Sequence, residues 1–146
     1  MKIMAVDYGA ARTGLAVCDR TEFLASPVGT IHEREAAKVI AHVANAVSEY
    51  DVKEVVIGLP RNMDGSDGER AQLSRTFAEN LQKLVNIPVH LWDERQTTMQ
   101  ATQYLNATNV RGKKRKDVID EVAATIILES YLSFRRNQQN RETTSL

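Results

Sequence analysis

Apolar positions along this chain follow two rhythms, and the switches between them mark out the elements. Ile3-Met4-Ala5-Val6 runs without a break into Asp7, which suits a strand buried on both faces, over about 2–7. A connection containing Gly9 and Gly14 leads to a second apolar run, 15–18, and predicts a hairpin. A third strand is expected over 23–31, with Pro27 favouring an edge position. Together these make an antiparallel meander.

From 33 to 50 the period becomes helical. Ala36, Ala37, Val39, Ile40, Val43, Ala44 and Val47 fall at helical spacing, with Lys38, Asn45 and Glu49 elsewhere on the wheel. A strand follows over 52–59, centred on Val55-Val56-Ile57, and Gly58-Leu59-Pro60 stops it. Residues 61–68 form a polar loop with an Asp64-Gly65 turn signal. Ser66 and Glu69 have capping-box spacing, which predicts a helix starting there and running to 84 or 85. Residues 89–92 read as a strand ending in Asp93-Glu94-Arg95. Thr97 and Gln100 repeat the capping-box spacing and open a helix to about 105. A loop over 106–116 precedes a last helix over 117–135, and the polar stretch from Asn137 lacks periodicity and is expected to be disordered. The expected fold is α/β: a single domain over 1–136 and a tail over 137–146. Its five-stranded mixed sheet joins the meander to two parallel strands, with helices on the faces.

Composition sharpens this only in places. A chain of 146 residues, 42% hydrophobic and 26% charged, is long enough for one real core and reads as globular and soluble. Lys plus Arg balances Asp plus Glu, so only a local patch, not the whole chain, can attract a polyanion. Cys18 is the single cysteine and falls in an apolar run, which suits a small core residue better than a nucleophile. His32, His42 and His90 show no metal-ligand spacing. The N-terminus has no leader pattern and no apolar run approaches a membrane span of ~20 residues, so a cytoplasmic protein without a membrane partner is expected.

The chemistry is carried by acids. In α/β sheets, ligand sites form outside the carboxyl ends of parallel strands. Asp7, the loop with Asn62 and Asp64, and Asp93-Glu94 all follow such ends. Asp120 shares a helix face with Ala123, Ala124, Ile127 and Tyr131, and no basic residue shares that stripe. Asp7, Glu94 and Asp120 therefore have a route to one place. Converging carboxylates raise each other's pKa, and a divalent cation relieves that penalty. Oxygen ligands suit Mg²⁺ or Mn²⁺, and two such ions ~4 Å apart suit hydrolysis of a phosphodiester. A set of solvated acids at loop ends fits the spacing equally well. Arg111, Lys113, Lys114, Arg115 and Lys116 cluster just before the Asp120 helix. Such a cluster is commonly a solvated loop; beside an acidic site it also suits backbone phosphates.

The pattern Asp7-Tyr8-Gly9-x-x-Arg12-x-Gly14-x-Ala16 combines with Gly58-Leu59-Pro60-x-Asn62-Met63-Asp64-Gly65-Ser66. Asp93-Glu94-Arg95-x-Thr97-Thr98 and Lys113-Lys114-Arg115-Lys116 followed by Asp120-x-x-Ala123-Ala124 complete it. In this order, over nearly the whole chain, the motifs resemble the YqgF (RuvX) family of bacterial proteins. The resemblance implies an RNase H-like fold and a Holliday-junction-resolvase-like nuclease that processes the 5′ end of pre-16S ribosomal RNA. It implies Asp7, Glu94 and Asp120 as catalytic, metal-holding acids, with Asp64 and Asp93 as substitutes for Glu94. Arg12 and the basic cluster are then expected on phosphates, and Arg95 on a phosphate or paired with a carboxylate. The expected partners are precursor ribosomal RNA first, branched DNA second, and ribosomal precursor particles, with the protein acting as a monomer or homodimer. The rival readings are a DNA junction resolvase, a non-catalytic RNA- or ribosome-binding module, and an actin-like or sugar-kinase ATPase. The last needs a second such domain and finds no Walker A pattern here.

Overall fold

The computed structural model describes residues 1–94 and 113–144, with side chains from 118 to 140 in the second stretch. The chain runs β1 (Ile3–Tyr8), β2 (Arg12–Cys18), β3 (Ala25–His32), α1 (Ala36–Glu49), β4 (Glu54–Leu59), α2 (Glu69–Gln82), β5 (Val89–Asp93) and α3 (Lys113–Thr144). The sheet order is β3-β2-β1-β4-β5. β1 pairs antiparallel with β2, β2 antiparallel with β3, and β1, β4 and β5 run parallel. This is the mixed sheet that the alternation of apolar runs predicts, with β3 and its Pro27 at an edge.

Alternation along β1 divides the core into two layers. Met4 and Val6 join Leu15, Val55 and Ile57 under α1 and α2, whose Val39, Val43, Phe77 and Leu81 are buried there. Ile3 and Ala5 face the other way, joining Ala16, Cys18 and Val56 under Ala124, Ile127, Leu128, Tyr131 and Leu132 of α3. Cys18 is buried in this second layer and its Sγ accepts a hydrogen bond from the Ile3 N–H (3.2 Å), as suits a core thiol. Alanines at the sheet surface leave room for α3 to lie close.

Several boundaries differ from the sequence expectation. β1 runs Ile3–Tyr8, one residue further than expected, so Asp7 lies inside the strand opposite Gly14 rather than at its last position. The Ser66/Glu69 capping box does not form: Gly68 is the N-cap, with no side-chain cap. Ser66 is instead held in its loop, where its Oγ donates to Asp64 Oδ1 (2.6 Å). Local turn bonding of this kind competes with capping. α3 begins at Lys113 and ends at Thr144, so 113–116 is helical rather than loop, and 137–144 is helical rather than irregular. No Gly or Pro interrupts 113–144, and Gln, Arg, Lys and Glu sustain a helix without an apolar stripe. The helix expected over 97–105, and Arg95 and Arg111, lie outside the described residues. Among the described residues, no helix is long and apolar enough to cross a membrane.

Candidate active site

The site is built from β1 outward. Asp7 stands on the face of β1 that carries Ile3 and Ala5, and therefore beneath α3. Across the ladder is Gly14. A methyl group on Gly14 would collide with the backbone carbonyl of Asp120, so the glycine lets the start of α3 rest on β2. Asp120 is thereby delivered beside Asp7. Its carboxylate receives Arg12 Nε at 2.8 Å. No cation lies on Asp120's own stripe, as the sequence indicates; the partner comes from β2. Arg12, expected on phosphate, is engaged by Asp120 in this state.

Glu94 arrives from the other side. It follows β5, and its backbone N–H donates to Leu59 O at 3.2 Å, which continues the parallel ladder. Its carboxylate occupies the space above Gly58: a methyl group there would strike Glu94 Oε2 and Ile127 Cδ1. A strand glycine again marks a close approach. Two of the chain's seven glycines thus shape the cradle for two acids.

The electrostatics show which acids are neighbours. Burial pushes the Asp7 carboxyl up to about 6, the charge of Asp120 adds to the rise, and Arg70 opposes it. Burial, then Asp7, then Asp93 push Glu94 up to about 8. Asp7 is therefore coupled to both Asp120 and Glu94. Among the described residues no side chain donates a hydrogen bond to Asp7.

The alternative acids have partners of their own, and Asp93 also adds its charge to Glu94's surroundings. Asp64 Oδ1 accepts the Ser66 N–H (2.9 Å) as well as its hydroxyl. Asp93 lies 3.8 Å from Arg61 Nη1, and Arg61 Nε also meets Asp67 at 3.1 Å. Asp67 in turn holds Arg75 Nε at 2.6 Å. Lys113, Lys114, Arg115 and Lys116 fall on the first turn of α3, the end from which Asp120 projects one turn later. Sequence reasoning did not single out Gly14 and Gly58 as spacers, or Arg70. Glycine inside an apolar strand is the signal that was available for the first two.

Among the described residues, no three His, Cys, Asp or Glu side chains are gathered closely enough to clasp one ion as they stand. Asp120 is turned to Arg12. The donor set still fits a hard divalent cation. It is all oxygen, two of its carboxyls are driven towards neutrality by burial and mutual repulsion, and glycines keep their space clear.

Comparison with known proteins agrees with the motifs. The model of the family described as "RuvX: Holliday junction resolvase" matches residues 1–134. A Halothermothrix orenii protein named "Putative pre-16S rRNA nuclease" is 41% identical over 135 residues, covering 92% of this chain and 96% of that protein. A Listeria innocua protein of the same name is 44% identical over 134 residues, covering 90% and 97%. Among solved structures, Thermus thermophilus RuvC superposes with a TM-score of 0.54 at 12% identity, covering 91% of this chain and 97% of that one. The fowlpox virus Holliday junction resolvase gives 0.54 at 15%, covering 91% and 99%. At these identities the likeness is one of fold, and it is the RNase H-like fold that the motifs imply.

Proposed function

Since the chain belongs to the RuvX family, we propose that it is a metal-dependent nuclease acting on structured nucleic acid, and that its substrate is the 5′ region of precursor 16S ribosomal RNA. The observation that carries this reading is the coupling of Asp7 to both Asp120 and Glu94 at the carboxyl edge of β1, β4 and β5. Relatives at about 40% identity, named for a pre-16S rRNA nuclease, support the choice of RNA. The protein acts in the cytoplasm, on ribosomal precursor particles or free precursor RNA.

In this reading Asp7, Glu94 and Asp120 hold Mg²⁺ or Mn²⁺. A divalent cation so held supplies an activated water and neutralises charge on the leaving oxygen. The chain's own residues prepare for it. Burial limits the solvation of Asp7 and pushes its carboxyl up, so its charged form would gain from a cation. Burial and the charges of Asp7 and Asp93 push the Glu94 carboxyl up to about 8, and it would have to be ionised to hold a divalent cation. Arg12 neutralises Asp120 and stands beside it as a candidate phosphate contact. Lys113 to Lys116, together with Arg95 and Arg111, serve as contacts to backbone phosphates.

The test is incubation of purified protein with precursor 16S RNA and with a four-way DNA junction. Each is run in Mg²⁺, Mn²⁺ or chelator, and the ends are mapped. Wild type is expected to cut the RNA near its mature 5′ end, with chelator abolishing the cut. Asp7→Asn is nearly the same size and should fold normally, bind nucleic acid as well or better, and lose cleavage by about 100-fold or more. Near-normal cutting by Asp7→Asn would transfer the proposal to a non-catalytic binding module. The family description favours a second reading, resolution of DNA junctions. Preferential, paired incision of the junction would establish that instead.

A further inference from the structure

Among the described residues, Arg12, Arg61, Arg70 and Arg75 lie on β2, the loop after β4 and α2, and three of them are committed to carboxylates. Arg12 pairs with Asp120, Arg61 with Asp67 and Asp93, and Arg75 with Asp67. Arg70 differs. It lies in the first turn of α2, and its Nη2 donates to the Tyr8 carbonyl at 2.8 Å. Its guanidinium sits over the Tyr8 ring, 5.4 Å from the centroid, and that ring stacks on Phe77 at 4.3 Å. Tyr8 directly follows Asp7. Arg70 is thus anchored at one donor and one face beside the acid. No ion pair joins it to Asp7 or to any other carboxylate among the described residues.

A guanidinium has five N–H donors in a rigid fork, and this one makes a single hydrogen bond to the protein among the described residues. The side chain is half-buried and held by stacking, so little rotamer entropy remains to be lost when it binds an anion. An anchored, uncommitted fork next to a carboxylate cluster matches the geometry of a phosphate oxygen pair. Its charge also reaches Asp7, where it opposes the effect of burial.

We propose that Arg70 is a backbone-phosphate contact of this site, holding the nucleic-acid strand on the α2 side of Asp7, across β1 from Arg12. The inference rests on the nuclease reading above and adds a substrate contact to it. It accounts for a cation beside the acids that neither pairs with them nor caps a helix.

The experiment separates this contact from a purely structural bond to Tyr8. Arg70→Gln keeps an N–H donor for the Tyr8 carbonyl and loses the charge. Arg70→Lys keeps the charge and loses the fork. Lys83→Ala, at the far end of α2, is the remote control. Binding of a four-way DNA junction by the full chain is measured in chelator from low to moderate salt, with circular dichroism to verify folding. Arg70→Gln should bind about 10-fold more weakly, and its log–log salt slope should fall by about 0.9, the value for one duplex phosphate contact. Arg70→Lys should keep the slope and lose less affinity; Lys83→Ala should match wild type. Cleavage of precursor RNA by Arg70→Gln should show a raised KM, partly restored in Arg70→Lys. A wild-type slope in folded Arg70→Gln overturns the proposal, as does equal loss in both variants, which would assign Arg70 to structure alone. If wild type binds and fails to cut any substrate, the nuclease reading falls, and the salt slopes still decide whether Arg70 meets phosphate.

Discussion

Glu94 is the residue on which burial and neighbouring charge act most plainly. Its carboxyl is raised from an ordinary 4.5 to about 8 by burial, then by Asp7 and Asp93, and Asp7 is raised to about 6. A carboxyl whose folded pKa exceeds its unfolded one binds its proton more tightly when folded. Its stabilising contribution is therefore complete below the unfolded pKa and is lost as pH rises through the folded value. For Glu94 that window runs from about 4.5 to 8. In metal-free buffer, the melting temperature of wild type relative to Glu94→Gln should fall across this window by several degrees, to order of magnitude. Carboxylates remote from Glu94 cancel in the difference, and the part that Asp7 and Asp93 add through their coupling to Glu94 is counted with it. Adding Mg²⁺ or Mn²⁺ at pH 8 should recover the loss in wild type and not in Glu94→Gln, because the ion binds the folded site. A pH-independent difference would show that Glu94 is solvated rather than enclosed. Glu94's place after a strand was legible in the chain, whereas its burial was not, because burial depends on Gly58 and Ile127 from two other elements.

At the scale of elements, the site depends on how closely α3 approaches the sheet. Gly14 faces the backbone of Asp120, and backbone cannot yield, so Gly14→Ala must shift the start of α3. A loss of about 1–3 kcal/mol in denaturant unfolding is expected, with loss of cleavage. Gly58 faces side-chain ends of Glu94 and Ile127, which can swing away. Gly58→Ala should therefore cost less stability, below about 1.5 kcal/mol, yet reduce cleavage about 10- to 100-fold by displacing Glu94. The reverse order of stabilities would mean that α3 is loosely seated. Lys113 to Lys116 occupy the first helical turn, where positive charge is disfavoured by the helix dipole. Bound phosphate would reverse that penalty. Neutralising the four should flatten the log–log salt dependence of duplex binding by about 0.9 for every phosphate that they neutralise in wild type, read by anisotropy titration. An unchanged slope would leave the turn as solvent-facing charge. The helix itself was expected four residues later, because periodicity sees only the stripe that packs and is blind to the polar turns beyond it.

For the molecule as a whole, one chain carries one acidic cluster, and a four-way junction has two symmetric strands to cut. On the RNA reading a single chain suffices. On a plasmid with an extruded cruciform, the protein should therefore give nicked circles rather than linear product from one binding event. Linear product, together with a dimer in light scattering, would favour junction resolution. The chain order of the described strands and helices, the edge position of β3, the face of α3 carrying Ala124, Ile127 and Tyr131, and the family were all determined by the sequence alone. Each depends on periodicity or on motifs local to a few residues, and burying an apolar face leaves few ways to satisfy it. Only the tertiary structure decided that Arg12 holds Asp120, that Glu94 feels the charge of both Asp7 and Asp93, and that Arg70 anchors on Tyr8. Those relations join residues 62 to 108 positions apart, or turn on which of two adjacent acids faces inward. Charge and hydrogen bonding act through space, and the chain carries no periodic signal for them.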